Sequence, residues 1–176
     1  MRIDFPPIEA IRPTPDRVRE TLFNWLQPHI VGATCLDLFA GSGALGIEAL
    51  SRGAEQVTFV DREPRIARHL KATLERLGAH CAEVKIADAG TYLAQPSRRF
   101  DVVFLDPPFA SNLLAGTFEG LASGWLSPGA LIYVECDART ELPPLPSGWV
   151  VHRSKRAGQV GYHLLRAVAA TGEESS

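Results

Sequence analysis

Apolar and polar positions along the chain follow two alternating periodicities. Short apolar, β-branched runs at Thr34 to Phe39, Gln56 to Val60, Cys81 to Ile86, Asp101 to Leu105 and Ala130 to Cys136 have the length and composition of buried strands. Between the first and second runs, Ala44 to Arg52 reads as a helix. Between the second and third, Glu63 to Leu77 reads as another: Pro64 stands near its start, Ile66, Leu70, Leu74 and Leu77 fall in register, and Gly78 stops it. One more helix precedes the first strand. Thr14 as N-cap, Pro15 at the first helical position and Asp16 in the first turn open it, Val18, Leu22, Trp25, Leu26 and Ile30 share a face, and it runs from residue 14 to about Pro28.

Strands separated by helices imply parallel βαβ units, and hence an open, doubly wound α/β sheet with helices on both faces. Near the end the pattern changes. Gly148 to Arg153 and Val160 to Val168 are strand-like, and Ser154 to Gln159 between them leaves no room for a helix, so an antiparallel hairpin is expected. The expected sheet is therefore seven-stranded and mostly parallel, with a hairpin at its end.

At 176 residues the chain matches one domain at about 150 residues per domain, here taken as 1–170, and the polar stretch 171–176 reads as a disordered tail. A composition of 45% hydrophobic and 22% charged residues excludes the fibrous and disordered classes. The apolar runs are far shorter than the ~18 residues of a membrane span, and the N-terminal residues lack the apolar stretch of a secretory signal. The expectation is a cytoplasmic monomer without membrane contact. Cys35, Cys81 and Cys136 show no paired spacing and read as reduced core residues. The histidines have no ligand spacing, so no metal site is expected.

A net charge of −2 gives no global field for a polyanion. Nucleic-acid binding would need a local patch, and one exists: no acid occurs between Leu142 and Gly172, while Arg153, Lys155, Arg156 and Arg166 do.

Two motifs carry chemistry. Asp37-Leu38-Phe39-Ala40-Gly41-Ser42-Gly43-Ala44-Leu45-Gly46 contains Gly-x-Gly-x-x-Gly where the first strand turns into its helix. Glycines allow the tight turn and close approach of a ligand, and free amides at the helix N-terminus favour an anionic group. Asp61 ends the second strand, where a carboxylate can accept both ribose hydroxyls of an adenosine-containing ligand. The second motif, Asp106-Pro107-Pro108-Phe109, follows the apolar strand Val102 to Leu105. Strand carboxyl ends line the ligand crevice of such a sheet, so both motifs face one cavity. The prolines stiffen the turn and donate nothing, which leaves the Asp106 carboxylate and the Pro107 carbonyl to accept from one planar NH2 group, with Phe109 available to stack on the attached ring.

Asp-Pro-Pro-Phe after the fourth strand resembles the signature of S-adenosylmethionine-dependent methyltransferases that modify exocyclic amines of bases. Together with Arg12 to Leu26, Asp37 to Ala54 and Gly158-Gln159-Val160-Gly161-Tyr162, it resembles the bacterial 16S ribosomal RNA guanine-N2 methyltransferase family of the RsmD type, in motif order from Arg12 to Arg166. The resemblance implies a Rossmann-like class I methyltransferase fold, S-adenosyl-L-methionine as cofactor, and 16S ribosomal RNA, in a small subunit or assembly intermediate, as substrate. On this basis the loop with Gly41, Ser42, Gly43 and Gly46 would hold the methionine end with support from Asp37, Asp61 would hold the ribose and Asp88 with Ala89 the adenine, with Phe39, Ala40 and Arg62 also at the cofactor. Asp106, Pro107, Pro108 and Phe109 would hold the guanine, with Asp106 also touching the cofactor. Thr14 and Arg17 would reach the cofactor carboxylate, and Arg12, Arg153, Lys155 and Arg156 the RNA. One departure stands out: the family carries a short basic segment ahead of Arg-Pro-Thr, whereas here only Arg2 to Ile11 intervene after the initial methionine, which implies weaker RNA affinity. Two alternatives come from other classes. A nicotinamide-dependent oxidoreductase shares the glycine motif, but the preceding helix and terminal hairpin speak against it. A non-catalytic RNA-binding assembly protein would not require Asp106 to Phe109.

Overall fold

The computed structural model describes residues 14–108 and 112–168. Its elements in chain order are α1 (Asp16–Ile30), β1 (Thr34–Asp37), α2 (Ala44–Ser51), β2 (Gln56–Asp61), α3 (Pro64–Arg76), β3 (Ala82–Ile86), α4 (Ala89–Leu93), β4 (Phe100–Leu105), α5 (Leu113–Ala122), β5 (Leu126–Asp137), β6 (Trp149–Ala157) and β7 (Val160–Ala167). The strands form one sheet in the order β3-β2-β1-β4-β5-β7-β6. β1 to β5 pair in parallel, and β7 runs antiparallel to both β5 and β6. The strands read from hydrophobic runs are all present, as is the terminal hairpin.

Strand alternation divides the core in two. Cys35, Val57, Phe59, Val102, Phe104, Leu131 and Tyr133 face one side and pack with α1, α2 and α3. Leu36, Val60, Val103, Leu105, Ile132 and Val134 face the other and pack with α4 and α5 through Tyr92, Phe118 and Leu121. Since the central strands are covered on both faces, their middles are near-continuous apolar runs, as expected of parallel strands in a doubly wound sheet.

Several boundaries differ from expectation for identifiable reasons. The N-cap of α1 is Pro15, with no side-chain cap bond. Thr14 is buried instead, its hydroxyl directed at two carboxylates. The same helix continues past Pro28, which costs one backbone bond in the last turn, because Ile30 is buried against the sheet. In the hairpin, β6 extends to Ala157 and leaves only Gly158 and Gln159 as the turn. Gly158 has φ 61 and, among the described residues, no non-glycine has positive φ, the pattern of a II′ turn, whose twist matches that of its strands. Cys35 and Cys136 are buried as expected, but Cys81 is exposed, because it precedes the paired residues of edge strand β3.

Candidate active site

At the carboxyl ends of the parallel strands the structure opens a cavity of about 980 Å³. That volume is at the upper end of ordinary small-molecule sites. The cavity is bounded by the loop after β1, the end of β2, the start of α4, the turn after β4 and one face of α5.

The loop after β1 is shaped by two left-handed glycines, Gly41 at φ 56 and Gly43 at φ 80. The amide of Gly43 donates to the Ala40 carbonyl at 2.8 Å, closing the turn, and the amide of Ala40 reaches the Val60 carbonyl at 2.9 Å. The Gly41 amide donates to Asp61 Oδ2 at 2.9 Å, while the Glu63 amide donates to Oδ1 at 2.9 Å. Asp61 is thereby fixed at the rim by two backbone donors. Asp37 lies behind the loop, accepting from the Gly46 amide at 3.1 Å. Burial pushes its carboxyl from the ordinary 3.8 up to about 8, against the lowering effect of the Gly46 bond and with a further rise from the charge of Asp61.

The structure sorts the residues expected at the cofactor. Thr14, Asp37, Phe39, Ala40, Gly41, Ser42, Asp61, Arg62, Asp88, Ala89 and Asp106 all line the cavity. Gly43 and Gly46 do not. A β-carbon at Gly43 would lie 2.4 Å from Leu70 Cδ1 of α3, and one at Gly46 would lie 2.3 Å from Phe59 Cε1 of β2, so Gly43 lets the loop pack on α3 and Gly46 lets α2 pack on the sheet. Arg17 is exposed on α1 and likewise lies off the cavity. Asp88 caps α4, accepting from the Thr91 amide at 2.8 Å and the Thr91 hydroxyl at 2.9 Å, and these bonds hold its carboxyl below the usual range.

On the substrate side, Asp106, Pro107 and Pro108 line the same cavity, Pro107 buried and Pro108 exposed. Phe109 and Arg12 lie outside the described residues. Sequence reasoning missed the apolar side chains Ile66 and Leu93 in the lining and two further groups. The first is the far wall, built by Leu113, Gly116, Thr117 and Gly120 of α5. Its glycines obscured the helical pattern, although Gly120 is what lets α5 approach Leu93. The second is Glu135, an acid that directly follows the apolar run Ala130 to Val134 of β5 and is only 4% exposed beside Asp106. Its one signal was a charge interrupting a hydrophobic run.

The basic segment is divided by strand alternation. Arg153 and Lys155 pair with Leu164 and Tyr162 on the α1 side, Arg166 lies on that same face through its pairing with Leu131, and Arg156 pairs with Gly161 on the opposite face. Three of the four cations therefore share one face, and Arg156 takes the other.

Strand order, the hairpin-ended sheet and this cavity define the Rossmann-like methyltransferase fold. Comparison with known proteins makes the assignment narrower: the chain belongs to the family described as Conserved hypothetical protein 95, whose pattern matches residues 1–166. Ribosomal RNA small subunit methyltransferase D of Escherichia coli is 47% identical over 169 residues, spanning 96% of this chain and 85% of that protein. A solved Escherichia coli protein named yhhF superposes with TM-score 0.85 at 48% identity, covering 93% of this chain and 92% of that one. An RNA methyltransferase of Salinibacter ruber in complex with S-adenosyl-L-homocysteine shares the fold at TM-score 0.66 and 18% identity, over 94% of this chain and 99% of its own.

Proposed function

We propose that this chain transfers the methyl group of S-adenosyl-L-methionine to the exocyclic N2 amine of a guanine in small-subunit (16S) ribosomal RNA. The observation that carries the reading is geometric. An amine-accepting Asp106-Pro107 turn and a glycine loop with its own carboxylate, Asp61, open into one cavity. Family membership supports it, since the Escherichia coli relative is named for the small-subunit ribosomal RNA it methylates.

The residues present suit this cofactor. Gly41 leaves open space on the cavity side, with nothing within 4 Å of where a β-carbon would be, so the backbone can be approached directly. Asp61, held by the Gly41 and Glu63 amides, would accept from the ribose hydroxyls. Ile66 and Leu93 offer apolar walls for the adenine. Asp37, raised to about 8 by burial, would ionise more readily beside a bound cation. S-adenosylmethionine supplies an electrophilic methyl on a positively charged sulfur.

The protein's task is then to present a poor nucleophile. The lone pair of guanine N2 is delocalised into the ring. By accepting both N–H groups, the Asp106 carboxylate and the Pro107 carbonyl favour the pyramidal, increasingly positive nitrogen formed during transfer, which stabilises the transition state more than the ground state. The rigid proline turn holds both acceptors in place. The proton released from nitrogen leaves to Asp106 or to water.

Replacing Asp106 by Ala tests this role. Methyl transfer should be abolished while calorimetric affinity for S-adenosylmethionine stays close to wild type. Near-normal transfer by Asp106→Ala would refute it.

A further inference from the structure

Strand parity places three oxygen-bearing side chains together beneath the substrate turn. Asp106 follows Val102 and Phe104 on the α1 face of the sheet, and Glu135 follows Leu131 and Tyr133 on that same face. Leu105 pairs with Val134, so Asp106 and Glu135 stand side by side one residue further on. Thr14, just before α1, enters from above. Its hydroxyl lies 3.1 Å from Glu135 Oε2 and 3.3 Å from Asp106 Oδ2. The Tyr133 hydroxyl donates to the same Glu135 oxygen at 2.8 Å. Thr14 and Glu135 are 6% and 4% exposed, and Tyr133 is fully buried.

We propose that Thr14 and Glu135 are positioning residues for the amine-accepting carboxylate of Asp106, an inference that rests on the methyl-transfer reading above. A carboxylate on a short stem rotates easily about its terminal torsion, which has no sharp preferred angle. Accepting an N–H in line with methyl transfer demands one orientation, and misplacement by about 1 Å can cost ~100-fold in rate. Thr14 suits the task because a β-branched side chain is stiff at χ1. Glu135 restrains the hydroxyl from behind and is itself held by Tyr133, a ring locked in the core.

The arrangement is also costly unless it serves such a purpose. A buried carboxylate requires hydrogen bonds to be tolerated, and apolar residues would pack this strand end at least as well. The Tyr133 hydroxyl is held well above its usual range, by burial first and then by the charge and hydrogen bond of Glu135, so it remains a donor throughout the working pH range. Glu135 does not line the cavity, which separates this role from cofactor contact.

Four variants of the full chain test the proposal: Thr14→Val, Thr14→Ser, Glu135→Gln and Tyr133→Phe. Thr14→Val and Glu135→Gln should lower kcat by ~10- to 100-fold. Cofactor affinity by calorimetry and KM for RNA should stay within about threefold of wild type. Thr14→Ser, which keeps the hydroxyl, should return kcat close to wild type, and Tyr133→Phe should give an intermediate loss. Wild-type kcat in Thr14→Val, or a loss confined to cofactor affinity, would overturn the proposal. So would a Thr14→Ser as slow as Thr14→Val when both melt at the wild-type Tm. Should Thr14→Val not fold, wild-type kcat in both Glu135→Gln and Tyr133→Phe overturns it equally. A wild-type chain that transfers no methyl would contradict the underlying methyl-transfer reading instead.

Discussion

A β-carbon at Gly46 would lie 2.3 Å from Phe59 Cε1 and 2.7 Å from its Cζ, whereas one at Gly41 would meet nothing within 4 Å. The motif was legible in the sequence, but this division of labour was not, because it depends on which glycine faces the sheet and which the cavity. Gly46→Ala should therefore destabilise the fold by ~1–3 kcal/mol through overpacking. Gly41→Ala should cost ~1–2 kcal/mol through its left-handed backbone, and weaken cofactor binding as well. Thermal unfolding and calorimetry of the two variants check both expectations. Asp37 yields a prediction of a different kind. Its carboxyl lies at about 8 in the folded chain against 3.8 ordinarily, so the folded state binds the proton more tightly. The resulting stabilisation is complete below 3.8 and is lost as pH rises from there through about 8. Asp37→Asn, which can still accept from Gly46, should remove that pH dependence of unfolding free energy. An unchanged slope in denaturant titrations across this range would contradict the assignment.

Elements were legible where hydrophobic periodicity is strong. β1, β2, β4 and α3 carry a buried face wide enough to dominate their pattern. α4, with five residues, and α5, with glycines at 116 and 120, are too short or too irregular for periodicity to reveal them. They are fixed by packing on the sheet instead. Tertiary context also redirected Thr14 from the cap suggested by its neighbours to a buried bridge between strands. The same reasoning applies to the exposed edge. Arg153 and Lys155 share one face of β6 while Arg156 takes the other, so the segment's charge is divided between two faces. Joint replacement of Arg153 and Lys155 by Gln should reduce the salt slope of RNA binding by ~1 for each phosphate that is no longer neutralised. Arg156→Gln alone should change it less. An unaltered slope in the double variant would make this face a solvated strand edge. Cys81, at the other edge, should be alkylated in the native protein while Cys35 and Cys136 are spared. Burial, followed by the charges of Asp101 and Asp37, pushes the Cys35 thiol up to about 12. Mass mapping after brief iodoacetamide treatment reads this directly.

At the scale of the whole molecule, strand order determines where chemistry occurs. β1 and β4 are neighbours at the centre of the sheet, so the loops that follow them, one carrying Gly41 and the other Asp106, open onto the same space. This juxtaposition was legible because parallel strands with helical crossovers place their carboxyl ends together. The proposed RNA face was less so, since it depends on how exposed side chains alternate on β6. The most direct test of the central claim is transfer of labelled methyl from S-adenosylmethionine to unmodified small-subunit ribosomal RNA, offered naked and as assembled subunits, with nuclease digestion of the product. Label in N2-methylguanine is the expected result. Label in another nucleoside, or none with either substrate, would contradict it.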